Sequence, residues 1–202
     1  MHVIYDNLIA ILISGFLLTL IVQLTRDSNE NRLDTTRYYA SRVQSAAFIE
    51  TIQRDFRNLG AGVDAAQPMI TGFTWDNTQK TFEFKAALNP AVPTQVDEIK
   101  YELNEVPSAE NVCPSTCYEL KRYVKKSGSY VHDGGSMASI AEFAIVLRDG
   151  GGTVLPVGAN LDDTREIEVR MAALSPFGED RIIKRTRWQT RFKPVNLIRK
   201  DP

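Results

Sequence analysis

From Asn7 to Thr25 the chain reads NLIAILISGFLLTLIVQLT, nineteen residues without a charge. At a helical rise of ~1.5 Å per residue, such a run is close to the thickness of a bilayer's hydrocarbon core. A cleaved secretory signal would need a basic segment before the run and a small-x-small site after it, and neither is present. A core helix of a water-soluble protein would carry a polar face, and this run is apolar on all sides. The pattern therefore predicts a permanent membrane anchor over residues 1–25, with Leu8, Ile11, Phe16 and Leu20 facing lipid.

The helical pattern does not stop at the anchor. No proline occurs between Met1 and Gln67, and no glycine between Gly15 and Gly60. Tyr39, Val43, Ala46, Ile49, Ile52, Phe56 and Leu59 recur at spacings of three and four, which reads as one apolar face. Val43, Ile49, Ile52 and Phe56 are the positions expected to pack on a sheet. Arg42, Glu50, Arg54, Asp55 and Arg57 are expected mostly on the remaining, wet surface. Gly60 and Gly62 supply a stop. The result is one helix of about 55–58 residues, ~85 Å long, far above the globular average. Heptads are not sustained and no internal repeat appears, so a membrane-to-head spine explains the length best.

After Gly62 the period changes from 3.6 to 2. Met69–Trp75 and Thr81–Ala87 flank a turn at Asp76–Lys80. Ile99, Tyr101 and Leu103 alternate with Lys100, Glu102 and Asn104, and another alternating run starts at Tyr118. Phe143–Arg148, the Gly150–Gly152 triplet and Thr153–Val157 read as a hairpin. Ile167, Val169 and Met171 oppose Glu166, Glu168 and Arg170. Trp188, Thr190 and Phe192 alternate with Arg187, Gln189, Arg191 and Lys193. A short helix fits Ser136–Glu142, and the stretches 88–95 and 105–116 read as loops. Alternation of this kind means sheets with one buried and one wet face, and the helix stripe is the natural cover. The fold class is α+β: a long N-terminal helix, membrane-spanning in its first half (1–25) and amphipathic in its second (26–60), packed on an antiparallel β-sheet head (61–202).

Composition changes this picture little. Hydrophobic content is 43%, charged content 24%, and the 24 basic and 25 acidic side chains nearly cancel. That balance gives no reason to expect nucleic acid as a partner. The two histidines, His2 and His132, and two cysteines, Cys113 and Cys117, do not supply a zinc site. In an oxidising compartment Cys113 and Cys117 are expected to form a disulfide around a very small loop, worth about 2 kcal/mol. Asp133-Gly134-Gly135-Ser136 and Asp149–Gly152 lack the Gly-Lys-Ser/Thr ending of a phosphate loop and read as turns. Asp162-Asp163 has no EF-hand spacing. No Gly-x-Ser-x-Gly or His-Glu-x-x-His occurs. No enzymatic activity, cofactor or metal is expected.

Asp6 opens the anchor among Val3, Ile4, Tyr5 and Leu8. A carboxylate at a helix start can simply cap it at the membrane surface. Alternatively it enters an apolar environment and pairs with a positive charge such as another subunit's terminal amine. Ser14 and Gly15 are small residues mid-span, where helices can approach closely.

Together these stretches resemble type IV pilin-like proteins, in particular the J-type minor pseudopilins of type II secretion and the W-type minor pilins. The resemblance rests on Phe48–Gly60 (FIETIQRDFRNLG), on Asp97–Leu103 followed by Cys117–Val124, on Ile140–Leu155, and on the closing Phe192–Leu197 (FKPVNL). It implies a pilin-like fold and a subunit of a type IV pilus or secretion filament in the inner membrane. The anchor would cross once, with the head in the periplasm or outside. The partners implied are other pilin-like subunits and membrane lipid, with room for a secreted or surface ligand. Asp6 falls where the family has a near-terminal glutamate thought to pair with a neighbour's terminal amine. The family's basic leader, cleavage-site glycine and following Phe-Thr-Leu-Ile-Glu do not occur in that form. The alternative is an anchored periplasmic binding or sensor module outside any filament.

Overall fold

The computed structural model describes residues 2–64, 66–76, 79–88, 92, 95–106, 116–135, 140–175 and 184–198. Helix α1 runs unbroken from His2 to Arg57, 56 residues. Gly15 is the single strong helix-weakening residue within it, and it does not break the helix. Threonines inside α1 are satisfied locally. Thr19, Thr25, Thr35, Thr36 and Thr51 each donate a hydroxyl proton to the carbonyl four residues back. For Thr19, within the apolar run, that bond leaves no unmet donor to face hydrocarbon.

The helix stops where the backbone turns left-handed at Gly60 (φ 74°) and Gly62 (φ 73°). The Gly60 N–H then donates to the Lys85 carbonyl at 2.8 Å, handing the chain to the sheet. A side chain at Gly60 would be strained by that φ and would meet Met69 Sδ at 2.6 Å.

Eight antiparallel strands follow. They are β1 (Ile70–Trp75), β2 (Lys80–Ala86), β3 (Asp97–Val106), β4 (Cys117–Lys126), β5 (Ser129–Gly135), β6 (Ile140–Arg148), β7 (Glu166–Ser175) and β8 (Lys184–Phe192). One-turn helix α2 (Val195–Ile198) closes the described chain. The spatial order is β1-β2-β3-β4-β6-β7-β8, with β5 pairing β4 off that path. The same edge of β4 is thus shared. Its C-terminal part pairs β5, and Tyr118 near its start pairs Ile140 of β6. Among the described residues that pair joins the two halves of the sheet.

The core lies between the last turns of α1 and this sheet. Phe48, Ile52, Phe56 and Leu59 meet Phe82, Phe84, Tyr101, Leu120, Ile145, Ile167, Val169 and Phe192. Phe56 sits at its centre, with ring centroids 5.4 to 5.8 Å from Phe192, Phe82, Phe84 and Tyr101. Such spacing adds aromatic attraction to simple area burial.

Several expectations need correction. The helix stripe does not include Val43, which is 66% exposed, nor Tyr39, 59% exposed. Each three-residue step falls ~60° short of a full turn, so the steps 43, 46, 49, 52 carry Val43 ~180° away from Ile52. The packed face is Phe48, Ile52, Asp55, Phe56 and Leu59, with Ile49 at its margin. Thr153–Val157 is not a strand. Only Arg148 and Val154 bridge there, and Leu155 N donates to Leu147 O at 2.9 Å. At Pro156 the chain enters a turn, its carbonyl accepting from the Ala159 N–H at 3.0 Å, so the ladder ends there. Ile140–Glu142 belongs to β6 rather than to a short helix, and residues 136–139 lie outside those described. Asp133-Gly134-Gly135 ends strand β5, not a turn. Asn196-Leu197 lies in α2, where Asn196 Nδ2 donates to the Leu59 carbonyl at 3.2 Å.

Candidate anchoring and assembly region

Helix α1 contains a segment long and apolar enough to cross a membrane, and none of it is buried within the chain. Leu8, Ile11, Phe16 and Leu20 are all exposed on it. At 100° per residue 8, 11, 16 and 20 fall within about 180° of arc, one half of the helix surface. Gly15 leaves open space where a Cβ would stand. Asp6 has helical backbone, and its side chain lies outside the described ones. Arg26 follows the apolar run directly and pairs with Glu30 one turn on at 2.8 Å.

The other end of α1 carries a charge into the core. Asp55, expected on the wet surface, is fully buried. It lies three residues from Ile52, on the face that meets β3 and β4. Arg122 Nε donates to Asp55 Oδ2 at 2.5 Å, and the Tyr101 hydroxyl donates to the same oxygen at 2.8 Å. Arg54 donates to Oδ1 from the rim at 3.0 Å. Arg122 Nη1 also bonds the Asp133 carboxylate of β5. One guanidinium therefore links the helix to β4 and β5. Burial, and then the neighbouring Asp55 charge, hold the Tyr101 hydroxyl well above its ordinary pKa, so it stays a donor. A charge pair at this depth is balanced only while both partners are present.

This cluster was legible in principle. Asp55 is in phase with Ile52 and Phe56, and Arg122 has the inward parity of Leu120 and Val124. Opposite charges on the buried parity of a helix and a strand are a signal for a buried pair.

A second ionic cluster lies on the sheet face turned away from α1. Glu168 is fully buried and accepts from Arg170 Nε at 2.6 Å, Gln189 Nε2 at 2.7 Å and Arg148 Nη2 at 2.9 Å. The bond from Arg170 holds its carboxyl below the usual carboxylate range, against the opposing effect of burial and with further help from Arg148.

Cys117 is buried and disulfide-bonded. Cys113, the other cysteine of the sequence, lies outside the described residues. Asp162 and Asp163 form a one-turn 3-10 helix capped by the Asn160 side chain. The four sheet-packing positions divide: Ile52 and Phe56 are fully buried, Ile49 is half-buried, and Val43 faces solvent.

Comparison of the chain with protein-family models and with characterised proteins, and of its fold with solved structures, found no match.

Proposed function

We propose that this chain is a non-enzymatic, membrane-anchored subunit of a pilin-like filament, of the minor pilin or pseudopilin kind. Its anchor holds the subunit in the membrane and later packs against other pilin-like subunits, while the head contacts other minor subunits. The observation that carries this reading is the continuity of α1: one helix, uncharged and exposed from Asn7 to Thr25, whose last turns are the core of the head. A signal or tether needs no such rigidity. A rod built into the head transmits position from membrane to head, which is what assembly through a helix requires. The sequence resemblance points the same way and adds the role for Asp6.

The test is substitution of Asp6 by Ala and by Lys in cells that carry the assembly machinery. Both variants should remain in the membrane yet lose co-purification with pilin-like partners, the lysine variant more completely because it repels a terminal amine. Normal assembly by both, or a monodisperse monomer without such partners, would leave an anchored binding or sensor module as the reading.

A further inference from the structure

Beside the Asp55–Arg122 pair, a cleft of about 460 Å³ opens between α1, β5, β6 and β7. This is within the size range of sites that hold small ligands. Its walls are mainly apolar: Ala47 and Phe48 of α1, Ile140 of β6, Met171 and Ala173 of β7. One end is polar, formed by Arg122 and Asp133. The Arg122 side chain is only 2% exposed, and its Nη2 has no hydrogen-bond partner among the described residues. A buried guanidinium donor left unmet is destabilising, so the position calls for an acceptor. The cleft lies where, among the described residues, the pair Tyr118–Ile140 joins the sheet and β5 pairs only β4. A Cβ at Gly135 would stand 2.7 Å from the Leu120 carbonyl oxygen, so the glycine is what lets β5 close on β4 at the cleft's rim.

The chemistry of the walls selects the occupant. An anion gains little, because Arg122 already faces the carboxylates of Asp55 and Asp133. A cation would meet the guanidinium. Lipid is out of reach: at the helical rise, Gln44, at the lower margin of the cleft, is about 28 Å along α1 from Thr25. A neutral group with an apolar body and one carbonyl acceptor fits. We propose that the cleft receives an extended, uncharged segment of a partner chain. One apolar side chain enters against Phe48, Ile140 and Met171, and a main-chain carbonyl accepts from Arg122 Nη2. Among the described strands β5 pairs only β4, so its other edge offers that segment a strand to pair with. This goes beyond filament assembly through α1, since a sensor module would use the same cleft, and it stands or falls independently of Asp6.

The experiment uses the full chain in detergent micelles, with its methionine methyls isotopically labelled. N-acetyl-leucine N-methylamide is the probe, titrated while the Met171 methyl resonance is followed. A saturable shift is expected. The glycine analogue, lacking the side chain, should bind about ten-fold more weakly or worse. N-acetyl-leucine, carrying a carboxylate, should also bind more weakly. Ala47→Trp, which fills the cleft from an exposed helix position and leaves Asp55 and Arg122 in place, should abolish the shift and leave the melting temperature unchanged. Absence of a saturable shift, equal binding of the glycine analogue or of the carboxylate, or undiminished binding by Ala47→Trp would each overturn the assignment.

Discussion

From Ile4 to Leu24 the large apolar side chains of α1 are exposed, whereas from Phe48 to Leu59 they are almost all buried. Both stretches belong to one helix with the same backbone hydrogen bonds. They differ in what surrounds them. The second half buries its face within the chain and draws stability from packing at roughly 25 cal/mol per Å² of apolar surface. The first half has no such contacts and must find its apolar environment outside the chain, in lipid or in other helices. The lesson is that a helix's composition does not tell where its stability comes from. Phase relative to the sheet decides it in the outer half, and the absence of any polar face decides it in the inner half.

The sharpest way to break the comparison is to make one substitution in each half. Phe56→Ala removes the ring at the centre of the aromatic cluster and should cost about 3–5 kcal/mol of head stability. Phe16→Ala should leave head unfolding within about 0.5 kcal/mol, because Phe16 touches nothing in the head. Urea unfolding of the full chain in micelles, followed by the fluorescence of Trp75 and Trp188, measures both. Equal effects would mean that the two halves unfold as one unit and that the contrast drawn from burial is wrong.

Asp55 tests whether the second half is held by packing alone. Asp55→Ala takes from Arg122 its buried counter-charge, leaving only the rim carboxylate of Asp133, and should cost about 3 kcal/mol or more. Replacing both partners, Asp55→Leu with Arg122→Met, should recover most of that loss, since the desolvation of two ions disappears with the pair. If the double variant were as unstable as Asp55→Ala, the ion pair would itself be the main source of stability at the junction.

Smaller effects should appear in the pH dependence. The Tyr101 value is raised in the folded state, so its contribution is complete below the unfolded value of about 10 and fades as pH rises through the folded one. Tyr101→Phe should flatten that alkaline limb. Glu168 is shifted the other way. Its contribution is complete above the unfolded value of about 4.3 and is lost as pH falls through the lowered folded value. Glu168→Gln should flatten the acid limb and leave the alkaline one intact. Melting temperatures across both ranges distinguish the two groups, and a single change that flattened both limbs would show that the junction and the outer sheet face are coupled.

Most of the scaffold was legible in the sequence because each element carries a local period. The uncharged run and the missing proline fixed α1, and alternation located β1 to β4, β6, β7 and β8. What escaped depends on contacts between elements. Strand β5 is polar and exposed on both faces, so it has no alternation to detect; β4 and the Ser127-Gly128 turn create it. The expected hairpin at Gly150–Gly152 stops at the Arg148–Val154 bridge because the chain turns away at Pro156, whose carbonyl accepts from Ala159 N–H. Asp55 was expected on the wet surface because it is charged, and only the inward phase it shares with Arg122 betrays it. Glu168 alternates correctly, yet it is buried because arginines on three strands fold over it.

Val43 gives the smallest effect and the cleanest test of phase. A stripe read by threes and fours includes it, and a stripe read at 100° per residue places it opposite Ile52. Val43→Ala should therefore change head stability by no more than about 0.5 kcal/mol, whereas Ile52→Val, a gentler change in chemistry, should cost about 0.5–1.5 kcal/mol. Measured side by side by urea unfolding, the two should fall in that order. A loss at Val43 as large as that at Ile52 would mean that the helix face opposite Ile52 is also packed. Because nothing among the described residues covers Val43, the cover would then have to come from a second helix, and the stability of Val43→Ala would depend on protein concentration.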